Sequence, residues 1–346
     1  MNARYATEEE IAIWDSHVIT NPDGGDYFQT TEFAAVKEPT GWTPCYVVVD
    51  TIYVLVLQKI VFPLGKIWYI PKGPGVSSLK ELSDITPTLR EFAHSQSAFT
   101  IKIEPKLLLQ ETSKAALSKL GIVEASYTQP TYSTIIINID KDIDALIAGF
   151  SSKTRYNIRQ AEKAGVVCRE VEATDENCRI FYNMFAETAS GRFGIRSFDY
   201  YKRFWQAYCN NKAGKIMFAF LDDEVVSAEF IMILSNQASR KDAASPRQKP
   251  VRGAAALLVL ESIRALQADH ITSYDLCGSP SSSDIKNHDH HLYGIGQFKA
   301  GFSEDVTDYM GVYEIPVRTF SYKVWARIGE RIVRRIHRYK HHDSYY

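Results

Sequence analysis

The chain has 346 residues, 45% of them hydrophobic and 23% charged, with a formal net charge of −1. That length exceeds one ordinary core and predicts two domains; the balanced charge excludes a polycation, so any nucleic-acid contact has to come from local patches. There is no run of 18 apolar residues and no apolar signal segment at the N-terminus, which leads to the expectation of a cytoplasmic protein. Cys45, Cys168, Cys178, Cys209 and Cys277 are scattered without a CxxC pair, as expected of reduced thiols and not of a disulfide framework or zinc site.

In chain order, Thr7 and Glu10 stand in capping-box spacing before Ile11, Trp14 and Val18 at helical intervals. A short helix over 31–37 precedes Gly41 and a hairpin of 46–49 and 53–58 around Asp50-Thr51, with 68–70 extending the sheet. A helix with Leu89, Phe92 and Ala93, a strand at 99–103, a helix closed by Gly121 and a strand at 134–139 complete this half. From Thr174 the pattern restarts. Helices marked by Phe181 and Phe185, then by Phe204 and Trp205, lead to a hairpin of 215–221 and 225–234 around Asp222-Asp223. A helix with Ala256, Leu260 and Leu266, a strand at 273–277 and a last strand near 312–317 follow. The second series lies about 170 residues after the first, with Thr174 answering to Thr7 and Asp275 to Glu104-Pro105. This predicts an α/β (α+β) protein of two similar domains, mixed sheets flanked by helices, with boundaries 1–145 and 146–317 and a basic helical tail over 318–346. The cleft between such halves is the default ligand site.

Four motifs carry possible chemistry. IPKGPGV (70–76) joins Lys72 to two glycines after a strand, a loop able to hold phosphate or equally a plain turn. Arg155, Arg159 and Lys163 recur every four residues, a basic helical stripe for a phosphate backbone or simply a solvated face. His288, His290 and His291 lack the distant ligand that would close a metal site, so no metal is expected. In GIGQFKAGF (294–302) Lys299 sits between aromatics and glycines, placed to stabilise developing negative charge or, on the plainer reading, pointing outward from a strand or turn. Two polar stretches, 236–252 and 279–291, read as loops, the first as a mobile lid or plain surface.

Taken in order, FQTTEFAAVKEPTGW (28–42), YIPKGPGV (69–76), IKIEP (101–105), QPTYSTIIINI (129–139), TRYNIRQAEKAGV (154–166), RFGIRSFDYY (192–201), YDLCGSP (274–280) and GIGQFKAGF (294–302) resemble the Fem family, the FemA, FemB and FemX non-ribosomal peptidyltransferases that build peptidoglycan cross-bridges. The absence of a long helical-hairpin insertion makes the chain similar to the compact FemX type. The resemblance implies two tandem GNAT-like domains and transfer of an amino acid from aminoacyl-tRNA to the stem-peptide amine of a peptidoglycan precursor, either UDP-MurNAc-pentapeptide or lipid II, with no cofactor. It implies that Lys37, Arg196 and Tyr200 bind the precursor, the two cations clamping its diphosphate, and that Lys299 acts at the transfer step. In that context Lys72 is a further substrate contact, and Arg155 and Arg159 face the tRNA. Glu104 and Asp275, at strand ends, are the carboxylates for proton acceptance, each equally readable as held by nearby backbone. Ser303 departs from the glycine usual after the second Phe, and an aromatic usual near Ser235 is missing.

The rivals are an acyl-CoA N-acyltransferase and a non-catalytic RNA- or membrane-binding protein. The first needs a Q/R-x-x-G-x-G/A helix start, and Pro250 stands where Gln or Arg belongs before Gly253. The tail over 318–340 holds eight Lys/Arg against one Glu, interleaved with apolar residues. It reads first as a cap on the second domain with a basic outer face, and second as a surface for tRNA or for anionic lipid at the inner membrane face.

Overall fold

The structure, a computed structural model, describes residues 1–128, 132–189, 194–246, 251–341 and 343–346. Its strands, in chain order, are β1 Ala3–Tyr5, β2 Thr43–Val49, β3 Ile52–Val61, β4 Gly65–Ile70, β5 Ala98–Ile103, β6 Val123–Glu124, β7 Ser133–Asn138, β8 Val167–Val171, β9 Gly214–Leu221, β10 Glu224–Leu234, β11 Gln237–Ala244, β12 Ser273–Asp275, β13 Val306–Asp308 and β14 Tyr313–Pro316. They form two seven-stranded sheets, ordered β1-β2-β3-β4-β5-β14-β6 and β13-β7-β12-β11-β10-β9-β8. Two compact units result, Met1–Pro130 with Asp308–Tyr346, and Thr131–Thr307.

Each unit repeats one plan. A central antiparallel hairpin leads to a strand that pairs in parallel with the next, β4 with β5 and β11 with β12. Both hairpin turns fall where Asp50-Thr51 and Asp222-Asp223 predict. Val49 faces Ile52 across Asp50 (φ 58°), and Leu221 faces Glu224 across Asp222 and Asp223 (φ 49° and 66°). Asp tolerates this left-handed region because its short polar side chain can bond locally. The predicted capping box is present as well, with Glu10 N–H donating to Thr7 Oγ1 at 3.3 Å and Thr7 N–H to the Glu10 carboxylate at 2.8 Å. Each unit has its own core, one around Val54, Trp68, Leu89 and Ile101, the other around Ile137, Leu260, Ile263 and Phe302.

The seams differ from those expected at 145 and 317. The strand assigned to the end of the first half is β7, which pairs with β12 in the second sheet, Asn138 opposite Ser273. The strand assigned to the end of the second half is β14, which pairs with β5 in the first, Tyr313 opposite Ile103. Both β5 and β12 would otherwise leave a row of unpaired backbone groups, and an antiparallel partner from far along the chain satisfies them. Local periodicity cannot tell which edge a strand will join.

Two further expectations are corrected. The tail packs on the first unit and not the second. Trp325 is buried against Phe99 with ring centroids 5.6 Å apart and donates from Nε1 to Glu314 at 3.3 Å. Lys102, fully buried, pairs with Glu314 at 2.9 Å and with Glu330 at 3.1 Å. The polar stretch 236–252 is not a loop over its first half but β11, a central strand whose charges are paired internally; 247–250, including Pro250, lie outside the described residues.

Trp325→Ala should remove about 3–5 kcal/mol from the first unit, the range for deleting a buried aromatic. Urea unfolding followed by a first-unit probe checks it, and a loss under about 1 kcal/mol would mean that the tail is peripheral to that core.

Candidate functional site

In the second unit the site grows from Lys299. The motif that reads as a strand or turn is the helix Tyr293–Ala300, and two of the motif's glycines, Gly296 and the C-cap Gly301, are close-approach positions. A Cβ on Gly296 would sit 2.6 Å from Pro280 Cδ, and one on Gly301 would sit 2.2 Å from Thr154 Oγ1. This contact seats Lys299 inward, buried, with Nζ donating to the carbonyls of Gly278 at 2.6 Å and of Cys277. Cys277 (φ 54°) and Gly278 (φ 37°) both have positive φ, in the turn that presents the two carbonyls. Burial pushes the Lys299 amine down to about 8, opposed by Cys277 and Asp275 and reinforced by the Arg240 charge.

The turn is held by Asp275, whose Oδ1 accepts from Cys277 N–H at 2.6 Å and from the Thr134 hydroxyl. Ser239 Oγ lies 2.9 Å from Cys277 Sγ, and burial raises that thiol to about 12, so it stays neutral. Beneath Lys299 is a charged group that sequence reading missed. Glu229 accepts from the Arg240 guanidinium, from Ser262 Oγ at 2.5 Å and from Tyr274 OH at 3.0 Å. Arg240 also lies 5.8 Å from the Phe298 ring centroid.

One backbone device sorts these charges. Along β10 and β11 the register runs Phe230 to Asp242, then Ile231 to Arg240, leaving Lys241 as an extra residue. The bulge interrupts the alternation of faces. Arg240 therefore meets Glu229, while Asp242 accepts from Trp205 Nε1 at 3.0 Å on the helix Phe198–Asn210 and pairs with Lys241 at 3.2 Å. Lys241 Nζ lies 5.5 Å from the Phe204 ring, and Arg196 lies 4.4 Å from the Tyr200 ring. Lys241 also feels Tyr200 electrostatically, so Arg196, Tyr200 and Lys241 gather around one helix start.

Arg155 and Arg159 do not form the uniform stripe expected. Arg155 donates to the carbonyls of Ala148 (2.8 Å) and Phe150, tying down the end of the preceding helix, while Arg159 and Lys163 are exposed. Their helix, Ser152–Lys163, abuts the Lys299 helix where Ser151 N–H donates to Gly301 O at 2.9 Å. At Gly253 a Cβ would lie 1.9 Å from Asn157 O, so the helix start that an acyl-CoA pyrophosphate would need is packed against backbone. In the polar 279–291 loop, His290 Nδ1 accepts from Leu292 N–H at 3.1 Å.

In the first unit the IPKGPGV loop is fastened by two carboxamides. Gln29 Nε2 donates to Pro71 O at 2.6 Å and Asn21 Nδ2 to Tyr53 O at 2.8 Å, and Cβ atoms on Gly73 or Gly75 would strike Ile70 or Asn21. Glu104 N–H donates to Gly73 O at 2.9 Å, which places the buried Glu104 carboxylate beside the loop. Its Oε1 accepts from Tyr69 OH at 2.9 Å and from Thr128, while Oε2 has no hydrogen-bond partner among the described residues. Lys72 (φ 50°) lies near Asp26, a carboxyl that burial raises to about 6 against the pull of Lys106 and Lys72. Lys37 closes the helix Thr31–Lys37, buried, 5.4 Å from the Phe33 ring.

Residues 8–249 match the model of the FemAB family. The chain belongs to the FemAB family. Among curated relatives, the lipid II:glycine glycyltransferase of Staphylococcus aureus (strain MRSA252) is 27% identical over 228 residues, 60% of this chain and 53% of that protein. The chain thus spans about half the length of the curated relatives it matches. Among solved structures, the crystal structure of FemX superposes with a TM-score of 0.78 at 20% identity, covering 94% of this chain and all of that one. A tandem GNAT protein from the clavulanic acid biosynthesis pathway gives a TM-score of 0.50 at 10% identity, covering 91% and 98%. The two-domain GNAT-like fold expected from the sequence is the fold of this FemAB protein.

Two measurements check the site. Arg240→Met strands the Glu229 carboxylate and should cost about 3–5 kcal/mol in urea unfolding, with much of the loss recovered in the Glu229→Gln, Arg240→Met double variant. For Lys299 the folded amine sits near 8 against an ordinary 10.5. The unfolded chain therefore holds more protons between those values, and stability should rise with pH across that window, with the penalty fully present below 8. The pH-dependent stability difference between wild type and Lys299→Met should show this rise, about 3 kcal/mol in all; a flat difference would contradict the burial argument.

Proposed function

We propose that the chain transfers an amino acid from aminoacyl-tRNA to the stem-peptide amine of a peptidoglycan precursor, either UDP-MurNAc-pentapeptide or lipid II, in forming the interpeptide bridge. Family membership supports the reaction class, and likeness to the staphylococcal lipid II:glycine glycyltransferases supports a precursor acceptor. The observation that carries the reading is Lys299, a buried amine with two hydrogen bonds directed to fixed carbonyls and a third proton left to place.

In this reading the acceptor nitrogen attacks the ester carbonyl of the aminoacyl-tRNA. A C–N bond forms, the oxygen of the tetrahedral intermediate takes up negative charge, and collapse breaks the C–O bond to the tRNA ribose. The proton lost by the amine ends on that departing ribose oxygen. Lys299, held without reorganisation in a dry setting, stabilises the oxyanion with its third proton. Asp275 serves by holding the turn under Lys299 and is also the second-unit candidate for proton acceptance. Glu104, with an unpartnered oxygen among the described residues, is the first-unit candidate. Lys37 and Lys72 in the first unit and Arg196 with Tyr200 in the second are assigned to the precursor's phosphates and neighbouring groups. Arg159, on an exposed face of the helix that meets the Lys299 helix, is assigned to the tRNA. Arg155, already bonded to two carbonyls, would contribute through that helix end.

The test is transfer of radiolabelled amino acids from a panel of charged tRNAs to each acceptor, read by mass gain of the acceptor. Lys299→Met should lower kcat by about 10²–10³. If the ammonium form is the active one, wild-type rate falls as pH rises through about 8, and Lys299→Arg, cationic throughout, lacks that limb. Equal transfer by wild type and Lys299→Met would overturn the assignment, and robust turnover of acetyl-CoA with simple amines would overturn the reaction class.

A further inference from the structure

The C-terminal segment of the first unit runs as a helix over Thr319–Val324, a π-helical turn over Trp325–Gly329 and a helix over Glu330–His341. Its orientation is set by the side that touches the protein. Glu330 bonds Ser126, Lys102 and Tyr346; Arg334 reaches Ser126 Oγ at 3.4 Å; the His337 ring lies 5.4 Å from Tyr345. The opposite side therefore faces away from the unit. It carries Ile328, Ile332 and Ile336 at four-residue spacing, with Tyr339 one turn on, and Ile332 is 50%, Ile336 48% and Tyr339 83% exposed. Arg331, Arg335, Arg338 and Lys340, all exposed, flank this stripe. Phe320 and Phe62 are also exposed, and the turn bearing Phe62 reaches the same region through Leu64, whose Cδ1 would lie 3.6 Å from a Cβ on Gly329.

We propose that this outer helical face docks the protein on an anionic lipid bilayer, with Ile328, Ile332, Ile336 and Tyr339 entering the interface and Arg331, Arg335 and Arg338 contacting phosphate headgroups. Charge complementarity selects this occupant. Within 318–340, eight Lys/Arg stand against one Glu, and that Glu is turned inward, so the outer face is purely cationic on a chain of net charge −1. A second copy of the same face would oppose like charges at close range. RNA phosphates would answer the arginines and leave the isoleucine stripe without a role. A bilayer of anionic lipid answers both, with acyl chains for the stripe and phosphates for the flanks. No helix among the described residues is long and apolar enough to cross a membrane, so this would be attachment at the surface. The inference does not rest on the transferase reading, because its readout is vesicle binding alone.

The test is flotation of the full chain with vesicles of phosphatidylcholine alone and of an equal mixture of phosphatidylcholine and phosphatidylglycerol. Wild type should float with the mixed vesicles and stay behind with phosphatidylcholine alone. The Ile332→Ser, Ile336→Ser double variant should lose binding by about tenfold or more. The Arg331→Gln, Arg335→Gln, Arg338→Gln variant should lose it comparably and keeps the question open to test should the serine pair perturb folding. Failure of wild type to float, equal flotation of wild type and both variants, or a dimer in lipid-free solution that the serine pair dissolves would each overturn the proposal.

Discussion

The architecture depends on how two open sheet edges are paired. Each unit builds a hairpin and a parallel pair from contiguous chain, and each then stops at β5 or β12 with a row of backbone groups unpaired. The strand that closes each edge comes from outside that stretch, β14, which follows the second unit in the chain, for the first sheet and β7, which opens the second unit, for the second. Each unpaired backbone group buried in a protein costs about as much as a lost hydrogen bond, and an open strand edge presents a row of them. This closure also brings Glu314 beside Lys102 in the first unit, with Trp325 and Glu330 of the tail following, and Thr134 beside Asp275 in the second. The carboxylate that holds the turn under Lys299 is thus itself held by the strand that closes its sheet.

Buried charge is the second organising cost. Glu229, Arg240, Asp242 and Lys299 all lie in the second unit with little exposure, and each has a directed partner. Isolated, any one of them would be expensive to remove from water; as a connected set they specify one arrangement of β10, β11, β12 and the Lys299 helix. The bulge at Lys241 makes the set possible by sending Arg240 and Asp242 to opposite faces of one strand. In the first unit carboxamides take that part, Gln29 and Asn21 fastening a glycine-bearing loop against which Glu104 is set.

The sequence carried much of this on its surface. The Asp50 and Asp222 turns, the capping box at Thr7 and the recurrence of one element order are local signals, and local backbone preference is strong enough to realise them in place. The glycines around Lys299 marked a close approach, and the ordered blocks marked the family. What local signals could not carry was partnership. QASRKDAA reads as loop because charges on a central strand look solvated until Glu229, across the hairpin on β10, and Trp205, on a separate helix, are known to meet them. Lys241 was overlooked for the same reason. Arg155 looked like part of a phosphate-tracking stripe, but its guanidinium is taken up by the carbonyls of Ala148 and Phe150.

Family, repeat plan, turns and the identity of the candidate lysine were therefore determined by the sequence itself, since each depends on residues close together in the chain or on an ordered set of motifs. Which strand closes which sheet, which unit the basic tail completes, and whether a charged residue faces water or a buried partner were decided only by the tertiary structure. Strand closure and the seating of the tail depend on pairing across more than a hundred residues, and even the nearer partners of Arg155 and Arg240 are met only through a folded helix end and a bulged hairpin.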